Sequence, residues 1–471
     1  MMKYHTNSSR RNFLATISGA SAAIMLNPLS SWAIGELDPR VVAIVAATIG
    51  IDTHNHIDVP LTAADVPGPD IDLAGEMKRS GLSAICMTFA IDYQKLTNPG
   101  DAYDRFKNGL ASMDRQLKRN HMQRALNITD LRAAHKKKQP IVIQSVEGAH
   151  FLEGKLDRVA EAYALGLRHL GLLHDSDASV PLGDVYTNPP RWGGLTAFGA
   201  DTIRECNRLG ILIDLAHANT ETTAAALKVA THPVIVSHTG LDTRLGQNPN
   251  MARMMRPRLI SKEQAQLVAD AGGIIGVWTH LSDSPLEYAR NIRALADIIG
   301  VDHVGIGTDT KLTPSYRPAG GFGSKPGGSK PGGPGPDDPS PRQDGPGSDS
   351  ANHHDGPPPG DKSQEGSGDK PHDGPDDRQN QGGPGSNGQK QGNPGGSGQN
   401  QGGPGGNQNQ GGQNHRVDER TNEAWQDQQF GFYYAVVDAL LKTGFTKEEI
   451  AKIGGGNYCR LFEAATAGHA G

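Results

Sequence analysis

Ile211-Leu212-Ile213-Asp214-Leu215-Ala216-His217, followed one helix length later by Pro233-Val234-Ile235-Val236-Ser237-His238, is the stretch that decides the fold. Each half is a short, β-branched apolar run that closes on a histidine. Between them Thr222–Ala230 has helical period, and Ala197–Leu209 precedes them with the same period. A continuous apolar run flanked by helices reads as a strand covered on both faces, which is the habit of parallel sheets.

Working outward, the same alternation recurs. The predicted strands are Thr48–Asp52, Ser83–Phe89, Ile141–Val146, Leu167–Leu173, Ile211–Leu215, Val234–Ser237, Gly273–Trp278 and His303–Gly307. Helical segments are predicted at Leu73–Ser80, Leu156–Leu165, Lys262–Ala271, Leu286–Ile299 and Phe430–Lys442, and Asp101–Lys138 fits two more. Eight such units in about 340 residues suit an α/β fold of the (β/α)8 TIM-type barrel. A doubly wound open sheet is the main alternative, but no G-x-G-x-x-G follows the first strand.

The chain has 471 residues, with 61 Gly and 31 Pro, 35% hydrophobic and 5% aromatic residues. The Gly and Pro excess is local. Pro318–His415 holds 29 Gly and 16 Pro, and it contributes most of the formal net charge of −5. Such a stretch cannot bury enough surface to offset its chain entropy, so 315–416 is expected to be a disordered insertion after the eighth strand. The ordered fold is then 34–314, completed by C-terminal helices in 417–471. Residues 1–33 read as a twin-arginine signal peptide: Ser9-Arg10-Arg11-Asn12-Phe13-Leu14, an apolar stretch, then Ser31-Trp32-Ala33. Export by the Tat machinery to the periplasm follows as an expectation. Three cysteines exclude a disulfide scaffold or a cysteine-rich zinc cluster. The acidic balance argues against a nucleic-acid binder that works by a basic surface.

Chemistry in a barrel sits where the strands end. Here six predicted strands end in polar groups: His54 and His56, Glu147, His174, His217, His238 and Asp309. The second and seventh contribute none in this reading. His54 and His56 are two apart, so on a strand both point to one face. Imidazoles with a carboxylate suit zinc and related divalent ions. The set is large enough for two metals and a base. Amide hydrolysis needs a water ionised at neutral pH and a clamp on the carbonyl oxygen, both of which metals supply. Asp309 is placed to carry the water's proton to the leaving amine.

At these residues the sequence resembles the membrane (renal) dipeptidase family of zinc peptidases, in the amidohydrolase superfamily. The resemblance runs through Asp52-Thr53-His54-Asn55, Val146-Glu147-Gly148-Ala149-His150 and Gly193-Gly194-Leu195-Thr196-Ala197-Phe198-Gly199. It continues through Asn207–His217, Pro233–His238, Asp302–Asp309 and Gly455-Gly456-Asn457-Tyr458-Cys459-Arg460-Leu461-Phe462. It implies a dipeptidase with two Zn2+ per chain and a metal-bridged hydroxide. His54 and His56 would hold one ion, His217 and His238 the other, with Glu147 bridging. His174 would contact the substrate near the scissile carbonyl, Asp309 would be the acid/base, and Arg258 would hold the substrate's terminal carboxylate. Related metal-dependent chemistries on this site are N-acyl-amino-acid deacylation and lactone hydrolysis. A non-catalytic periplasmic barrel is the rival of another class.

The chain departs from the family pattern in three places. His56 stands where the first motif usually has Asp. Leu259 replaces a common Asn, and Arg256 rivals Arg258. Asp309 is followed by Thr310-Lys311-Leu312 rather than Phe-Asp-Gly. Asp175 and Asp177 read as turn or capping residues, with support of His174 as the alternative. Trp192 is a candidate border of the substrate site, His150 and His169 are structural or supporting residues, and Cys86, Cys206 and Cys459 are small buried residues. Beyond a dipeptide substrate and the Tat machinery, envelope association and a homodimer are compatible with the sequence, and nucleic acid is not.

Overall fold

A computed structural model of the chain describes residues 37–187, 189–316 and 420–468. The expected signal peptide and nearly all of the expected insertion lie outside the described residues. Eight strands follow one another along the chain: β1 (Ile51–His56), β2 (Ala84–Thr88), β3 (Ile141–Val146), β4 (Leu167–Gly171), β5 (Leu212–Asp214), β6 (Ile235–Thr239), β7 (Ile274–Val277) and β8 (Val304–Ile306). Each pairs parallel with the next, and β1 pairs with both β8 and β2, so the sheet closes into a (β/α)8 barrel. A two-residue strand, β9 (Thr310–Lys311), adds to the far side of β1.

The stretch that decides the fold shows how local chemistry sets each unit. Thr196 caps the helix Ala197–Leu209 by accepting from Gly199 N, and Gly210 ends it in a left-handed turn. The chain then enters β5. Asn219 caps the next helix, Thr220–Val229, through Thr222 N at 2.8 Å, and β6 follows. Along the strands, alternate residues face opposite ways. Ile85, Met87, Val142, Ile213, Val236 and Ile275 pack outward under the helices. Ile51, Ala84, Ile141, Leu212, Ile235 and Ile274, each the first residue of its strand, form a separate inner cluster. Tyr458 and Phe462, one turn apart on the helix Asn457–Thr466, plug that end of the barrel. Asn457 ties the plug down by donating to Val301 O and Val304 O at 2.7 and 2.8 Å. The polar strand ends therefore gather at the opposite, open end.

Most expected boundaries shift by one or two residues, and the first strand shifts most. The first strand runs from Ile51 to His56, not from Thr48 to Asp52. Apolarity alone misplaces it because this strand's polar residues are buried and paired across the barrel. Asp52 accepts from Thr308 N, Thr308 Oγ1 and Asn55 Nδ2, at 2.6 to 2.9 Å. The chain on either side of 317–419 comes back to one place. Lys311 bridges Arg420, and Thr421 bonds Asn55 and Thr310 at 2.8 and 2.7 Å.

Two glycines are dictated by close approach. The Ser237 carbonyl crowds the barrel axis, and a Cβ on Gly276 or Gly307 would lie 1.9 or 1.8 Å from it. Gly307→Ala is expected to lower stability by at least about 2 kcal/mol through overpacking. Thermal or urea unfolding checks this, and an unchanged midpoint would show that the axis has room to spare.

Candidate metal centre

Each site group is delivered by a strand end. His54 and His56 lie on β1 and His238 on β6, while Glu147 directly follows β3. His217 and Asp309 each sit three residues beyond their strands, β5 and β8. Both take left-handed backbone angles, φ 67° and 53°. For residues with a Cβ this costs on the order of 1–3 kcal/mol each, a cost that surrounding structure must hold in place. Asp309 N donates to His54 O at 3.1 Å, and Tyr186 N donates to His217 O at 3.1 Å.

These residues converge on Glu147. Its Oε1 lies 3.0 Å from His217 Nε2, 3.4 Å from His54 Nε2 and 3.6 Å from His238 Nε2. Its Oε2 lies 3.4 Å from His174 Nε2 and 3.6 Å from His56 Nε2. Five imidazoles thus turn Nε2 toward one carboxylate that is 3% exposed. The other ring nitrogens are held from behind. Ser237 Oγ meets both His54 Nδ1 and His238 Nδ1, at 3.2 and 3.0 Å. Asp175 meets His217 Nδ1 at 3.1 Å, and Asp92 meets His174 Nδ1. The Tyr93 hydroxyl lies 3.0 and 3.2 Å from the two ring nitrogens of His56. Asp309 closes the far side, with Oδ1 3.2 Å from His56 Nε2 and Oδ2 2.8 Å from His280 Nε2.

Burial and charge set the protonation. Burial holds His54 well below the ordinary histidine range, and the His238 imidazole adds to this. Burial, helped by His217, takes His238 down to about 4. Both rings are therefore neutral at pH 7, the form that binds metal. His217 goes the other way, to about 10. Burial opposes its charge, but the Asp175 and Glu147 carboxylates on its two nitrogens outweigh burial. Burial alone would raise Glu147. The surrounding imidazoles, His174 and His54 foremost, instead hold it well below the carboxylate range.

The donor set fits a divalent cation on either side of Glu147. Nε2 of His54 faces Nε2 of His56 at 3.2 Å, and Nε2 of His217 faces Nε2 of His238 at 3.0 Å. Each contact needs a proton on one of its two Nε2 atoms, whereas a metal takes the lone pairs of both. Glu147 Oε2 is buried without a hydrogen bond from protein. Overlapping triads of metal-ligating geometry cover the whole set: His54-Glu147-His238, His54-His56-Asp309 and Glu147-His174-His217. Nitrogen and oxygen donors of this kind suit zinc and its neighbours.

A cavity of about 300 Å3 opens beside His217 and His238. Tyr186, Val185, Leu259 and Arg258 are among its lining residues. Arg258, not Arg256, reaches it, since Arg256 is exposed on the outer turn. Arg258 Nη2 pairs with Asp175 Oδ2 at 2.6 Å. Asp175 is thus no mere turn residue: it links a metal-site histidine, Tyr186 and the cavity's arginine. Asp177 pairs with Arg191, and Trp192 stacks on Arg191 and is not among the cavity's lining residues. His150 and His169 are buried supports, bonded to Ser176 O and to Tyr458. All three cysteines are buried and free.

Asp92, Tyr93 and His280 are missing from the sequence-based set. They follow β2 and β7, the two strands left without a polar end. His280 stands three residues past Val277, the same offset as His217 and Asp309, and that offset is the signal that finds it.

The family described as membrane dipeptidase (peptidase family M19) matches residues 39–316. A protein of Klebsiella pneumoniae, described as uncharacterized and in the pqqA 5' region, is 27% identical over 45% of this chain and 80% of its own length. Dipeptidase verJ of Clonostachys rogersoniana is 28% identical over 35% of this chain, but the match spans only 41% of that protein. Among solved structures, an amidohydrolase from Pseudomonas aeruginosa superposes with a TM-score of 0.58 at 17% identity. That superposition covers 90% of this chain and 98% of the other. With its barrel closed and its histidines gathered on Glu147, the chain belongs to the membrane dipeptidase family, peptidase family M19, and is a metallodipeptidase by that membership.

Proposed function

We propose that this chain is an exported two-zinc dipeptidase acting on dipeptides with a free terminal carboxylate. The observation that carries the reading is the ring of five imidazoles that aim Nε2 at a single buried carboxylate. In this reading His54 and His56 would hold one ion and His217 and His238 the other, with Glu147 between them able to serve both. When bound, the two ions supply an ionised water at neutral pH and a Lewis acid for the carbonyl.

The chain's own residues do the rest. Arg258 lines the cavity next to His217 and His238, where its planar guanidinium pairs with the substrate's carboxylate. This orients the scissile bond across Glu147. Asp92 fixes the His174 ring so that Nε2 faces the centre and reaches the carbonyl oxygen as it becomes an oxyanion. Asp309 takes the proton of the attacking water and delivers it to the leaving amine as the C–N bond breaks. His56 and His280 on its two oxygens hold it in place for both transfers. Export rests on Ser9-Arg10-Arg11-Asn12-Phe13-Leu14 and the apolar stretch behind it.

Purified protein is expected to hydrolyse members of a panel of L-L, L-D and D-D dipeptides and to lose that activity in chelator. Arg258→Ala should raise KM on the order of 10- to 100-fold for free dipeptides, the loss of a charge-assisted pair. The same change should leave C-terminally amidated analogues nearly unaffected. Turnover that survives chelator, or none from zinc-loaded protein, would overturn the reading. Cell fractionation checks export, with cytoplasmic retention as the contrary result.

A further inference from the structure

Ser237 carries no assigned role, yet both its backbone and its side chain are held at the barrel axis. Its backbone N–H donates to Asp214 Oδ1 at 2.9 Å, and its carbonyl accepts from Thr53 Oγ1 at 2.6 Å. Gly276 and Gly307 give way around that carbonyl. The side chain is fully buried. Both backbone polar groups are thus bonded, and the hydroxyl sits between two rings from different sides of the centre. Ser237 Oγ lies 3.2 Å from His54 Nδ1 and 3.0 Å from His238 Nδ1. Those rings sit 4.0 Å apart, centroid to centroid, and both turn Nε2 toward Glu147.

An imidazole that ligates through Nε2 must keep its proton on Nδ1. A serine oxygen has two lone pairs and can accept two N–H groups at once. We propose that Ser237 is a positioning residue that sets the Nε2-free tautomer of His54 and His238 together, readying one ligand on each side of Glu147 through one hydroxyl. The inference rests on the ligand assignment above. It goes further by tying the two metal positions together. His217 and His174 have carboxylates behind them, Asp175 and Asp92. His54 and His238 share a neutral acceptor instead, the Ser237 hydroxyl.

The test is zinc titration of metal-free protein against a competing chelator, which needs no substrate. Wild type should bind two equivalents. Ser237→Ala keeps the backbone bonds and should fold. It should bind both equivalents about 10- to 100-fold more weakly, the usual loss when an outer partner of a histidine ligand is removed. Ser237→Thr retains the hydroxyl and should recover most of the affinity. Imidazole 15N spectra of the metal-free proteins should show Nδ1–H at both rings in wild type and mixed tautomers in Ser237→Ala. If Ser237→Ala binds two equivalents as tightly as wild type, the inference fails and the ligand assignment stands. If only one equivalent weakens, the shared role is wrong. Wild type that binds no zinc overturns the assignment and this inference with it.

Discussion

A carboxylate taken out of water costs several kcal/mol unless charge and hydrogen bonds replace the solvent. Glu147 is in that position, and the barrel mouth is built to meet it. Five imidazoles surround it, and most are steadied from behind by a carboxylate or a hydroxyl. Two residues of the site, His217 and Asp309, take left-handed backbone angles where their side chains turn inward. The glycines at 276 and 307 are there because Ser237, which backs two of the rings, needs the axis. The other end of the barrel is closed by a largely apolar plug, with Tyr458 and Phe462 at its centre.

Much of this was legible in the sequence, for identifiable reasons. Strands buried on both faces are rich in apolar residues, so β3 and several helices fall where periodicity places them. Polar residues at the ends of such runs have no structural excuse, and that exposes His54, His56, Glu147, His174, His217, His238 and Asp309. The reading failed where a polar strand is satisfied by partners distant in sequence. Asp52 and Asn55 are stabilised by Thr308 and Thr421, so β1 runs on through residues that look like a loop. It also failed where a residue's partner comes from another loop. Asp175 looks like a turn former until His217 and Arg258 are brought to it.

The departures from the family pattern also find places in the geometry. His56 removes a carboxylate from the first motif, and Asp309 Oδ1 stands 3.2 Å from its Nε2, so negative charge is present on that side all the same. Thr310 and Lys311, in place of Phe-Asp, form β9 along β1, opposite Asn55 and His56. Thr310 also meets Thr421, where the described chain resumes after residue 419. The changed motif therefore does a local job: Thr310 and Lys311 join the described chain on either side of 317–419 to the first strand.

The central claim is that Glu147 divides two metal positions. Anomalous diffraction from crystals of the zinc-loaded protein tests it most directly. Two peaks are predicted, one at His54 and His56, the other at His217 and His238, with Glu147 touching both. A single peak, or peaks held by residues outside this ring, would contradict the account.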